Sequence, residues 1–543
     1  MQTNSYKRLS LFHIHPELIN ISIDSLIKHL LNQLHLTEHK NILYQISKCA
    51  IRFHKIKNIQ EANDELIKTY CKGKYQQQIL EFIKNNPNHL LFLDNKAFRL
   101  IHLLLIYKID NLEQGTYSSD KISTNKFSLV GSFLIANHIL EYVNVIMKQK
   151  PICSSKIMEY YSRIKTDPLS AIDKASMYEN TFWNDNFQRL FKMSIEEFNN
   201  ALFETYIHLI AKEPMILDTK KPFKSLPDHL GERVLNLLSQ NCASKPYQMD
   251  QIKNTLCENL YLDIQVRGKP LIKVKDRAYC FRPDQMENAI SELPFHLVFT
   301  ECKETNDLKD KKGQAFQDYV FKVTKPIFPD KSCHKINTKK GGEYGDIIID
   351  ISPEKKIIIE LKNALVQDSL KKGSIEELKK RFLTPLRRKK GKGKESPGPL
   401  QVIQRALDYK KNFNFEGVIQ PIIIYGECYP EFECFDNLYN KHIKQNKICK
   451  DYDCNPKNNP LILMNNSTWE LILSAIKQQK REKTLFVLNA ILASLSSDAN
   501  YPSKTYVNVK KYIENNKLRL SLKSLFSNKL ITKGEKLKSK LPH

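Results

Sequence analysis

Apolar residues recur at helical spacing through the first 225 positions. Leu26, Ile27, Leu30, Leu31 and Leu34 fall on one face of an expected helix, with Asp24 as its expected cap. Phe98, Ile101, Leu104 and Leu105 repeat that spacing, as does a shorter run at Leu80, Phe82 and Ile83. Ser194-Ile195-Glu196-Glu197 reads as a capping box opening a helix through Phe198, Leu202 and Tyr206. The most apolar stretch, Leu100 to Tyr107, is interrupted by His102 and flanked by Arg99 and Lys108. It is too short for a bilayer and predicts a buried helix. No fixed-period repeat is present, and the histidines of this half, such as His13 and His15, form no ligand pattern.

Further along, the period changes. Leu271-Ile272-Lys273-Val274 and Ala278-Tyr279-Cys280-Phe281 predict a hairpin around Lys275-Asp276, followed by a helix near Gln285. From Gly313 the element types alternate: a helix to Val323 that stops before Pro326, then two strands, Asp346 to Ile351 and Lys356 to Lys362. The turn Ser352-Pro353-Glu354-Lys355 joins them. A Lys-rich helix around Glu376-Glu377-Leu378, a helix from Leu400 to Lys411, a buried-type strand from Val418 to Tyr425, a strand at Leu461 to Met464 and a helix at Thr468 to Gln479 complete the series. The fold class expected is multidomain α plus α/β. A helical module spans 1–225, a small helical and hairpin connector 226–305, a mixed sheet flanked by helices 306–478, and a helical basic tail 479–543.

Composition changes this picture in three places. A hydrophobic share of 41% with mean hydropathy −0.45 suits a soluble chain, and no leader pattern opens it, so a cytoplasmic protein without membrane contact is expected. The net charge of +26 points to a polyanion partner. An AT-rich coding bias would also give abundant Lys, Ile and Asn with scarce Gly, so charge alone leaves both readings open. Twelve cysteines include no CxxC pair. The closest grouping, Cys428, Cys434, Cys449 and Cys454, lacks the spacing of structural zinc sites.

The chemistry concentrates at Gly345-Asp346 and, one hairpin later, Glu360-Leu361-Lys362. Side chains alternate along a strand, so Glu360 and Lys362 share a face, and a short hairpin returns the chain beside Asp346. Asp346 and Glu360 are hard oxygen ligands suited to Mg²⁺, with Mn²⁺ as a substitute and the Leu361 backbone carbonyl as a further ligand. Such a cation activates water and offsets charge in phosphodiester hydrolysis. Lys362 can position or help deprotonate that water.

These residues resemble the signature of the PD-(D/E)XK, or restriction-endonuclease-like, nuclease superfamily: an acidic residue, a hairpin, then Asp or Glu, any residue, and Lys. The likeness covers about residues 313–473. It implies a helix, three strands, helix, strand core with Asp346 and Glu360 as metal ligands and Lys362 as the catalytic lysine. Family members often carry Glu in the first helix within Gly-x-x-Phe-Glu; this chain has Gly313-Gln314-Ala315-Phe316-Gln317, making Gln317 a weak ligand candidate. Some branches place a Gln near the site from the next helix, which points to Gln404 ahead of Gln401. The run Arg387, Arg388, Lys389, Lys390, Lys392 and Lys394 is a candidate phosphate-contacting loop. No stacking aromatics are interleaved with that run, and no Walker-type loop is present.

The function expected is Mg²⁺-dependent nucleic-acid hydrolysis, with DNA ahead of RNA as partner. The helical half is a candidate protein-binding surface. By analogy of context the setting would be bacterial anti-phage defence. The alternative is a nuclease fold that has lost catalysis and binds nucleic acid or protein. Gln317 speaks for it, and the intact Asp346, Glu360 and Lys362 speak against it.

Overall fold

The structure, a computed structural model, describes residues 7–8, 22–35, 39–55, 90–91, 95–108, 130–148, 174–179, 181–211, 216–224, 226–246, 248–259, 269–302, 305–335, 344–363, 374–379, 399–426, 461–496 and 506–518, with single positions between 61 and 85. It is a mixed α/β protein, mostly helical, with two small mixed sheets among these residues. No described helix is long and apolar enough to cross a membrane. The chain divides into two compact units, Met1–Pro151 with Phe187–Leu293 and Lys536–His543, and Ile152–Asn186 with Pro294–Glu535.

In the first unit the expected helices form at Ile23–His35, Asn95–Leu105 and Ile195–Ala211. Ser194 and Glu197 make the reciprocal capping box: Glu197 N–H donates to Ser194 Oγ at 3.1 Å, and Ser194 N–H to Glu197 Oε2 at 2.7 Å. Asp24 is not a cap. Ser22 Oγ takes that role by accepting from Ser25 N–H, while Asp24, in the first turn, pairs with Lys253 at 2.5 Å. The hairpin strands Leu271–Val274 and Arg277–Cys280 lie in a four-stranded sheet with Ile216–Asp218 and Ser239–Asn241. Ser47 Oγ on helix His39–Lys55 donates to the Cys280 carbonyl at 2.8 Å. The expected connector 226–305 is therefore sheet-bonded and packed into the helical module up to Leu293, instead of standing apart.

The second unit holds α1 (Thr305–Thr324), β1 (Cys333–His334), β2 (Ile347–Ser352), β3 (Lys355–Lys362), α2 (Pro399–Phe413), β4 (Val418–Tyr425), β5 (Ile462–Asn465), α3 (Asn466–Lys477), α4 (Thr484–Ser496) and α5 (Tyr506–Asn515). The five strands lie in the order β5-β4-β3-β2-β1. β1, β2 and β3 pair antiparallel, and β3, β4 and β5 run parallel. The isoleucine runs 347–349 in β2, 357–359 in β3 and 422–424 in β4 are buried, as strands covered on both faces require, while Val418 at the start of β4 is exposed. Pro421 is tolerated in β4 because β5 begins pairing only at Ile422, so Pro421 has a ladder partner on one side.

The two faces of this sheet carry different chemistry. Ile347, Ile349, Ile357, Ile359 and Leu361 turn into one core with Phe316 and Val320 of α1, Trp469 and Ile472 of α3, Leu488 and Ile491 of α4, and Val509 of α5. The segment expected as a separate tail thus contributes α4 and α5 to the core of the α/β unit. α4 carries no charged side chain; Leu488, Ile491, Leu492 and Leu495 are buried in this core, while Phe486 is exposed. The other face presents Ile358, Glu360 and Lys362 toward α2. There the polar residues gather.

Candidate active site

β3 carries Glu360 and Lys362 past the last rung that β2 supplies, Ile347 opposite Ile359. Asp346, the residue before β2, fills the vacated position. Its N–H donates to the Ile359 carbonyl at 2.9 Å, and its Oδ2 accepts from Leu361 N–H at 2.6 Å. The carboxylate therefore continues the ladder between the two residues of the Glu-x-Lys pair. Gly345 makes this entry feasible, because a Cβ there would lie 2.7 Å from Ile358 Cγ2. Tyr344 anchors the preceding backbone, with its hydroxyl accepting from Asn412 Nδ2 at 2.8 Å and its ring against Tyr409 and Phe413 of α2.

Around Glu360 the bonding is dense. Lys362 Nζ donates to Glu360 Oε1 at 2.5 Å and to Gln401 Oε1 at 2.9 Å, and Arg405 Nη1 donates to Glu360 Oε2. Gln401 and Arg405 stand four residues apart on α2, so they meet the strand from one line of the helix. Glu360 is almost fully enclosed, whereas the Lys362 and Arg405 side chains keep 20% and 17% of their surface, leaving the cluster open on their side. From α1, Gln317 Nε2 donates to Asp346 Oδ1 at 3.0 Å.

Electrostatics mark Asp346. Burial and the charge of Glu360 push its carboxyl up to about 7, against the Leu361 N–H bond and the charges of Arg405 and Lys362. Burial, more than a shortage of nearby positive charge, holds the carboxyl that high, and a divalent cation bound directly to Asp346 would favour its ionised form. No family model matches this chain, and neither a curated protein nor a solved structure matches it.

The cluster thus assembles Asp346, Glu360, Lys362 and Gln317. Gln404 is corrected: its amide donates to Asp408 Oδ1 at 2.9 Å, and Gln401, one turn earlier, is the α2 glutamine that reaches the site. Gln404 and Asp408 form their own line beside that of Gln401 and Arg405. Arg387 to Lys394, and the cysteines from Cys428 to Cys454, lie outside the described residues. Sequence reasoning missed Arg405. The signal available was its spacing: the buried positions Leu400, Val402, Ile403 and Ala406 set the packed face of α2, which Gln401 and Arg405 border.

The donor set suits one hard cation. Among the described residues no group of three or more His, Cys, Asp and Glu side chains gathers as a metal cage. Mg²⁺, however, is ordinarily held through one or two carboxylates while keeping several waters. Asp346 and Glu360 supply that number. In a strand the N–H and C=O of one residue face the same neighbour, so the Leu361 carbonyl points to the side where Asp346 accepts its N–H.

Proposed function

We propose that this chain is a Mg²⁺-dependent nuclease of the PD-(D/E)XK kind, hydrolysing phosphodiester bonds with DNA ahead of RNA as substrate. The observation that carries the reading is the meeting of Asp346, Glu360 and Lys362 at the end of the β2–β3 pair. The element order α1, β1, β2, β3, α2, β4 supports the family likeness. Asp346, Glu360 and the Leu361 carbonyl would hold the cation, and Gln317 steadies Asp346. Bound Mg²⁺ would supply an activated water and a Lewis acid at the phosphate. Lys362, aimed by Gln401, holds or receives a proton at the attacking water.

A second reading, a nuclease fold that binds nucleic acid without cutting it, is favoured by two features. Gln317 replaces a carboxylate, and both Glu360 oxygens are already engaged by Lys362 and Arg405. Incubation of the purified full-length chain with plasmid, linear duplex, single-stranded DNA and RNA separates the two. Cleavage of at least one substrate in Mg²⁺, abolished by EDTA, is expected. Salt-sensitive binding with no cleavage under Mg²⁺ or Mn²⁺ would favour the second reading.

A further inference from the structure

We propose that Arg405 is an exchangeable counter-ion: it neutralises Glu360 in the metal-free protein and turns its guanidinium to a substrate phosphate once Glu360 is given over to a divalent cation. This deepens the nuclease reading and rests on it. Glu360 has two oxygens, and each is claimed by a different cation, Lys362 at Oε1 and Arg405 at Oε2. A divalent cation on Glu360 would stand against both of these charges, and like-charge repulsion favours the departure of one of them. Lys362 is the group the nuclease reading keeps at the attacking water, where Gln401 holds its ammonium group at 2.9 Å, so Arg405 is the one assigned to leave.

Arg405 is built for the exchange. Its backbone sits in α2, which packs along β3 and β4, so only the side chain has to move. A guanidinium presents a planar fork that matches phosphate oxygens as well as it matches a carboxylate. Charge makes the exchange coupled. Two carboxylates, Asp346 and Glu360, face two cations, Lys362 and Arg405, so the formal charges of the cluster already balance. A divalent cation added to it creates an excess of positive charge that a phosphate offsets. Metal and nucleic acid should therefore each tighten the binding of the other.

The test uses Arg405→Gln and Arg405→Lys in the full chain, each checked for an unchanged thermal transition. Calorimetric titration with Mn²⁺ alone should show Arg405→Gln binding tighter than wild type by about fivefold, since a competitor for Glu360 is gone. Binding of a short DNA in Ca²⁺, which takes oxygen ligands, should be weaker in the same variant by roughly tenfold. Arg405→Lys keeps the charge but not the fork, so its Mn²⁺ affinity should stay near wild type while DNA affinity falls. Mn²⁺ affinity in Arg405→Gln that equals or falls below wild type, or unchanged DNA affinity in both variants, would overturn the exchange and leave the nuclease reading standing. A wild-type chain that neither binds Mn²⁺ nor cleaves would instead bring down the reading on which the exchange rests.

Discussion

Lys362→Met should lose metal-dependent cleavage by about 10³-fold or more, while Mn²⁺ binding stays as tight as in wild type or tightens. Methionine keeps an unbranched, flexible stem of similar length, so packing changes little, but the ammonium group is gone. In the folded chain that ammonium touches Glu360 Oε1 and Gln401 Oε1. Its removal withdraws a competitor from a proposed metal ligand and a proton-handling group from the proposed water. Those two consequences move in opposite directions. Single-turnover rates with an excess of protein, read beside calorimetric Mn²⁺ titration, distinguish them. Metal affinity that collapses together with cleavage would make Lys362 a structural support for Glu360. Cleavage that persists would remove it from the reaction.

Asp346→Asn should abolish cleavage and yet stabilise the metal-free protein at pH 8. The sign follows from the folded-state value of about 7 against an ordinary 3.8. A carboxyl whose pKa is raised by folding binds more protons folded than unfolded between those values. Stability is therefore lost as pH rises from about 4 through 7 and stays lost above it. The gap amounts to on the order of 4 kcal/mol at about 1.4 kcal/mol per pH unit. Asparagine is uncharged at every pH and keeps an acceptor for Leu361 N–H. Gln317 can turn its amide to present the carbonyl to the new NH₂ group. A chain with two compact units need not unfold in one step, so the readout is a difference in Tm. The variant should melt higher than wild type at pH 8 in EDTA, and the difference should narrow steadily toward pH 4. A lower Tm at pH 8 would show that Asp346 is not the strained group.

Much of the α/β unit was legible because its strands are short apolar runs with unambiguous punctuation. The strand expected over Lys356 to Lys362 forms from Lys355, and that expected over Val418 to Tyr425 forms with those bounds. Gly345 and Ser352-Pro353-Glu354 leave little freedom in where the β2–β3 hairpin begins and turns. Helix boundaries were harder to read. α1 begins at Thr305, earlier than the expected Gly313, whose approach through Lys311-Lys312 reads in sequence as a linker. In the fold Lys312 is buried, its ammonium 4.4 Å from the centre of the Phe295 ring, a contact across the chain that periodicity does not encode. The core role of α4 was hidden for a related reason. Its apolar residues mark out no single buried face, and nothing local says which of them meet the core.

At the site, Asp346, Glu360 and Lys362 could be singled out because polar residues interrupting buried strands need a reason. The choice between Gln401 and Gln404 could not be made that way, since both border the packed face of α2 and only the docked helix separates them. Arg405 lies 45 residues from its partner Glu360: helical spacing puts it at the border of the packed face of α2 but does not say which residue it meets.

Titrating the full-length chain with Mg²⁺ or Mn²⁺, beside Asp346→Ala, bears most directly on whether these side chains form a cation site. Saturable binding at one site per chain, lost in the variant, is the expected outcome. Absence of saturable binding, or binding that survives unchanged without the Asp346 carboxylate, would contradict it.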